Sequence, residues 1–269
     1  MDDHLPEFGA PPVIETAIGV QFQPLPNYTT AHAGWFWREH LNPAAWPKVT
    51  EVERLEDQFE RFGDERKWGL PGLRLRLGTS PDRTQFAPDD ETRLVQIQNS
   101  RLIYNWRKRT GDYPRYSKLR SEFDSRFVEF SQFARDANLG ELSLNQWEIT
   151  YVNHIPKGDL WHAPEDWPKI LPNLSIPVSR LPGVSLDSLD TEWSLNLHGN
   201  LGRLHISLKH GRAGSPTGPE VLILQLTARG PMANTADLNT GLNLAHEFIV
   251  RSFTEMTSET AHKFWKRRS

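Results

Sequence analysis

The sequence predicts an α+β fold in two related halves, each an antiparallel sheet packed against one long helix. Three observations predict it. Thr92–Gln98 and Arg101–Arg107 read as strands around a tight Asn99-Ser100 turn, with Leu102, Tyr104 and Trp106 alternating with Arg101, Asn105 and Arg107. Residues 114–137 carry Tyr116, Leu119, Phe123, Phe127, Phe130, Ala134 and Ala137 at steps of three and four, one apolar face of a long helix. Hairpin, further strand and long helix then recur after residue 190.

From the N-terminus, Val13, Ile14, Ile18, Val20 and Phe22 mark a strand within residues 12–25, stopped by Pro24 and Pro26. Residues 29–41 predict a helix capped by Thr29 or Thr30, filled by Trp35, Phe36 and Trp37, and ended by Asn42-Pro43. The stretch 51–67 is strongly acidic (Glu51, Glu53, Glu56, Asp57, Glu60, Asp64, Glu65) and fits an exposed strand or a frayed helix equally. Pro114 suits the first turn of the long helix, and Asn138 with Gly140 supplies its stop. Trp147, Ile149 and Tyr151 mark another strand.

Six prolines between 156 and 190 make that stretch a connector, with one helical turn near Asp166–Leu171. Beyond it, Trp193, Leu195 and Leu197 pair across Gly199-Asn200-Leu201-Gly202 with Leu204, Ile206 and Leu208. Val221–Ala228 is a strand, and Leu238–Met256 a helix with Leu242, Ala245, Phe248, Ile249, Ser252 and Phe253 on one face. The chain thus divides into 1–155, 156–190 and 191–269, expected to pack as one body.

With 269 residues, the chain can bury a core without staples. It has no cysteine, which excludes disulfides, thiolate catalysis and Cys-based zinc sites and fits a cytoplasmic location. No apolar run approaches membrane-spanning length, so no membrane contact is expected. A net charge of −3 leaves no global field for polyanions; such a site must be local.

The local candidate is Arg101–Arg120, with seven Lys/Arg against the single acid Asp112. Arg107, Lys108, Arg109 and Arg115 with Tyr113 and Tyr116 suit phosphates and stacked bases, so nucleic acid or a nucleotide phosphate is one candidate ligand. The plain alternatives are a solvated strand end, or pairing with the acidic 51–65 stretch inside the molecule or across a dimer. Trp265 beside Lys266 and Arg267 is a candidate partner-binding tail if it is exposed, and packing back on the body is the competing reading. Trp35, Trp37, Trp106, Trp147 and Trp193 fit core positions, whereas Trp161 and Trp167 in the connector are harder to bury by local pattern.

Other chemistries find less support. His246-Glu247 lacks a second histidine at 250, which is Val, so the zinc-protease pattern fails. His198, His205 and His210 keep no carboxylate in phase and read as sheet-face histidines, not metal ligands. Glu148 and His154 form an acid–base pair only if a pocket unites them, as in a hydrolase or transferase. No phosphate-cradling loop, nucleophile elbow or dinucleotide fingerprint is present, and no cofactor is expected.

Several spaced blocks carry a resemblance. They are Pro11–Glu15, Gly19–Phe22, Tyr104–Arg109, Tyr113–Tyr116, Glu148–Ile155, Ala245–Arg251 with Thr254–Met256, and Ala261–Trp265. Together they resemble a sporadically distributed, functionally uncharacterised bacterial family, over about residues 11–268. The resemblance implies no activity and no catalytic residues; its patchy distribution suits an accessory gene, as in a defence or toxin–antitoxin locus. The expected function is a non-catalytic interaction module that binds a protein partner or self-associates.

Overall fold

The computed structural model describes residues 5–56, 60, 62, 82–176 and 181–268. Part of the acidic stretch, 57–59, 61 and 63–67, lies outside them.

Among the described residues nine strands form one sheet in which every neighbouring pair is antiparallel. They are β1 (Val13–Phe22), β2 (Lys48–Val52), β3 (Arg83–Ala87), β4 (Arg93–Gln98), β5 (Arg101–Arg107), β6 (Leu144–Pro156), β7 (Asp190–Leu197), β8 (Gly202–Arg212) and β9 (Glu220–Pro231). Across the sheet the order is β2-β3-β4-β5-β1-β6-β9-β8-β7. β1 and β6 lie at the middle, paired from Val13↔Asn153 to Phe22↔Leu144. β6 pairs with β9 on its other side over Gln146–Pro156, so hydrogen bonding runs unbroken across residue 155.

Among the described residues four α-helices accompany it: α1 (Thr30–Phe36, continued by a wider turn through Leu41), α2 (Tyr116–Asp136), α3 (Thr235–Met256) and α4 (Glu259–Phe264). α2 buries Leu119, Phe123, Phe127, Phe130, Phe133 and Ala134, the face read from its periodicity. Phe130 stacks on Phe22 of β1 and meets Phe36 of α1 edge-on. α2 starts at Tyr116 rather than Pro114, because Arg115 takes φ 71° and ψ 153° and breaks the helical path.

α3 begins three residues earlier than its apolar pattern suggests, since the Asn234 side chain accepts from the Asp237 N–H and caps it. It lies close to the sheet because Gly241 of α3 and Gly230 of β9 enclose the Trp147 indole; a methyl group on either would overlap that ring. Burial of Trp147 is the local reason for both glycines.

The connector reverses the expectation for its tryptophans. Trp161 and Trp167 are buried; the Trp161 indole donates to the Ile155 carbonyl at 3.0 Å, and both rings meet His210 edge-on. Around Trp167 the chain forms a short 3-10 turn, Pro164–Lys169. Trp35 and Trp193, expected in the core, are instead 47% and 37% exposed. Trp193 lies on the outermost strand among the described residues, where alternation points a side chain to the helix side but no described helix or strand packs beyond it.

The sheet's second face is polar. Glu15, Asn105, Gln96 and Arg83 form a hydrogen-bonded row across four strands, with links of 2.6, 2.8 and 2.6 Å. Arg229 pairs with Glu148, and Arg203 and His205 with Glu60 of the acidic stretch. The acidic segment thus lies against basic residues of β8 and β5: Arg101 donates to the Glu56 carbonyl at 2.9 Å.

Candidate functional site

On the helix side, the N-terminal segment, the start of α2, the centre of the sheet and the middle of α3 enclose a cavity of about 360 Å³. Its walls are mainly apolar, from Phe8, Pro11, Val13, Leu226, Ile249, Val250 and Phe253. Residues far apart in sequence build one wall. Gly9 and Ala10 donate to the carbonyls of Lys266 and Trp265 at 2.9 and 3.0 Å, and Arg268 donates to that of Glu7 at 2.8 Å. This clasp seats Phe8 against Phe253, His262 and Trp265.

Polar groups converge on that apolar space. The hydroxyls of Tyr113 and Tyr151 are 2.9 Å apart, and Tyr151 Oη lies 3.0 Å from His246 Nδ1. Tyr116 stacks on the His246 ring with centroids 4.0 Å apart and planes 11° from parallel, and its hydroxyl donates to Asn243 Oδ1. Asn153, buried on β6, donates its amide to the Leu224 carbonyl while lining the cavity. Arg115 enters from the strained residue before α2, with one guanidinium N–H on the Phe8 carbonyl at 3.2 Å.

Burial sets the protonation of this group. Desolvation pulls His246 down to about 4, so the imidazole is neutral at physiological pH. The same cause pushes Tyr113 up to about 12 and raises Tyr116 and Tyr151. A neutral imidazole and protonated phenols are donors and acceptors of fixed hydrogen bonds.

The basic segment read from the sequence therefore splits. Tyr113, Arg115 and Tyr116 meet at the cavity. Arg107 pairs with Glu15 at 3.5 Å, Arg109 with Glu91 at 3.0 Å, and the Lys108 side chain is exposed; none lines the cavity. Trp265 is 3% exposed, so it offers no surface anchor; its ring is a core contact of Phe8 and Phe253. Lys266 is exposed beside it, and Arg267 approaches Glu259 at 3.6 Å. Glu148 and His154 share one face of β6 but lie about 20 Å apart along it, and Glu148 is held by Arg229, so they form no acid–base unit.

Glu7, Tyr151, Asn153 and His246 are polar site residues that sequence reasoning missed. Tyr151 follows the apolar phase of β6 and reads as core. The available signal was His246 itself, four residues after Leu242 and three before Ile249 on the buried stripe of α3. Among the described residues, no group of three or more His, Asp or Glu could hold a metal ion, and no helix is long and apolar enough to cross a membrane. No protein-family model matches the chain, and neither does any curated protein.

Proposed function

We propose that the protein is a non-catalytic binding protein that holds a small, largely apolar molecule with at most one anionic group in the helix-side cavity. The observation that carries this reading is an apolar cavity with few polar side chains in its lining: one neutral histidine, three tyrosines, one amide, one serine, one guanidinium and the Glu7 carboxylate. The charge count disfavours a polyphosphate or nucleic acid, because among the described residues Arg115 is the one Lys or Arg lining the cavity, Glu7 lines it too, and Arg107 and Arg109 face carboxylates elsewhere. Tyr116 stacked on His246 offers a planar aromatic wall, which suits a flat ligand.

The resemblance to the sporadically distributed bacterial family adds support in kind. The blocks that carry it supply Tyr113, Arg115, Tyr116, Tyr151, Asn153, His246, Ile249 and Val250, all of them cavity residues. The two-halves reading is part of the same proposal. Strand, connector, meander returning to the first strand, then long helix describes both β1 to α2 and β6 to α3. This reading differs from the expected division at 155, which keeps β6 in the first half; here the halves meet between α2 and β6, and the cavity lies where they join.

Titration with anilinonaphthalene sulfonate, a flat apolar monoanion, tests the site by fluorescence and calorimetry. The wild type is expected to bind one equivalent. Arg115→Ala should weaken binding about 10-fold or more, the scale of one charge-assisted hydrogen bond, and Val250→Trp, which fills the cavity, should abolish it. Equal binding by Val250→Trp sinks the proposal.

A further inference from the structure

Among the described residues β7 closes one edge of the sheet, and the guards it carries are confined to Asp190 and Glu192. Natural edge strands are blunted by charged side chains, above all lysine, and by proline, bulges or shortness. The strand Asp190–Leu197 reads DTEWSLNL, with no lysine, arginine, proline or glycine, and its register with β8 is unbroken over eight residues. The opposite edge, β2, has five residues, and its Lys48 is tied to Glu91 at 2.7 Å. β7 also presents apolar side chains: Trp193 and Leu195 are 37% and 45% exposed. Opposite Ile206 and Leu204 in register, they lie on the helix side, beside a groove of about 490 Å³ shared with Leu171, Leu174 and Met256.

We propose that β7 pairs antiparallel with β7 of a second copy of this chain, about a two-fold axis through Ser194. The inference is independent of the cavity, which lies elsewhere on the helix side. A two-fold axis perpendicular to the sheet keeps each side chain on its own face only if it passes through a residue position. With Ser194 on the axis, Trp193 of each copy faces Leu195 of the other, and Thr191 faces Leu197. Glu192 faces Asn196, and Asp190 falls beyond the paired stretch, so no acid opposes an acid. Both copies gain two aromatic–aliphatic cross-strand pairs. Charge also argues for a like copy over a basic peptide, because Lys209 of the same chain already sits 3.5 Å from Glu192.

The chain has no cysteine, so a single introduced thiol reports the axis directly. Directly opposed residues of an antiparallel pair have Cα atoms about 4.5–5.5 Å apart, within disulfide reach. In Ser194→Cys, mild oxidation is expected to give a linked dimer at least 10-fold faster than in Val128→Cys, an exposed control on α2. Light scattering on the full chain over rising concentration should show a dimer for the wild type and for Val49→Lys on β2, and a monomer for Trp193→Lys/Leu195→Lys with unchanged circular dichroism. A wild type that stays monomeric, a dimer indifferent to the double lysine variant, or cross-linking no faster at 194 than at 128 overturns the proposal. If the lysine variant does not fold, the cross-linking rates decide alone.

Discussion

At the scale of single residues, His246 has the most measurable consequence. Its folded value near 4 lies below the ordinary 6.5, so the unfolded chain takes up the proton first as pH falls. The stability this residue permits is intact above pH 6.5 and is lost progressively between 6.5 and 4. His246→Phe keeps a ring against Tyr116 and cannot titrate. The stability advantage of wild type over this variant should therefore narrow by roughly 2 kcal/mol between pH 7 and 5, read from urea unfolding at each pH. Parallel curves for the two proteins would remove His246 from the account. The tryptophans show what single residues conceal. Alternation placed Trp193 inside, yet it is exposed because sheet order, which local pattern does not encode, puts β7 at the edge. Trp265 looked stranded among basic residues, yet it is buried because Phe8, more than 250 positions earlier, packs on it.

At the scale of elements, periodicity was legible wherever apolar and polar residues segregate to opposite faces. The β4–β5 hairpin, α2 and α3 emerged close to their observed bounds for that reason, whereas β6, marked only at 147–151, extends over 144–156. β3, five residues long and followed by a turn, and α4, six residues, are too short to carry a period, and neither was foreseen. Half of the site was legible through the basic-aromatic run that supplies Tyr113, Arg115 and Tyr116. The other half required knowing that α3 lies beside α2, where Arg120 donates to Asn239 Oδ1 at 3.1 Å. Gly241 fixes how deeply α3 sits. Gly241→Ala should cost about 1–3 kcal/mol through overpacking against Trp147, although alanine is the better helix former. A neutral or raised melting temperature for this variant would show that the indole has room to move.

At the scale of the molecule, the single sheet is the organising fact. Hydrogen bonding continues from β2 through β1 and β6 to β7, so neither flank has an independent set of strand partners at the centre. Unfolding should then be one cooperative transition. Phe86→Ala on β3 and Leu204→Ala on β8, both in fully buried positions, should each lower that one transition by several degrees, with calorimetric and van't Hoff enthalpies in agreement. Two separated transitions, each moved by only one substitution, would show that the flanks melt as separate units. The clasp between Gly9-Ala10 and Trp265-Lys266 also orders events in time. A polypeptide leaves the ribosome N-terminus first. Its residues 5–13 must wait for those after 246 before the cavity has walls. On the proposed binding role, a nascent chain therefore has no formed cavity to offer, and capture would begin only when synthesis has passed α3 and the clasp has closed.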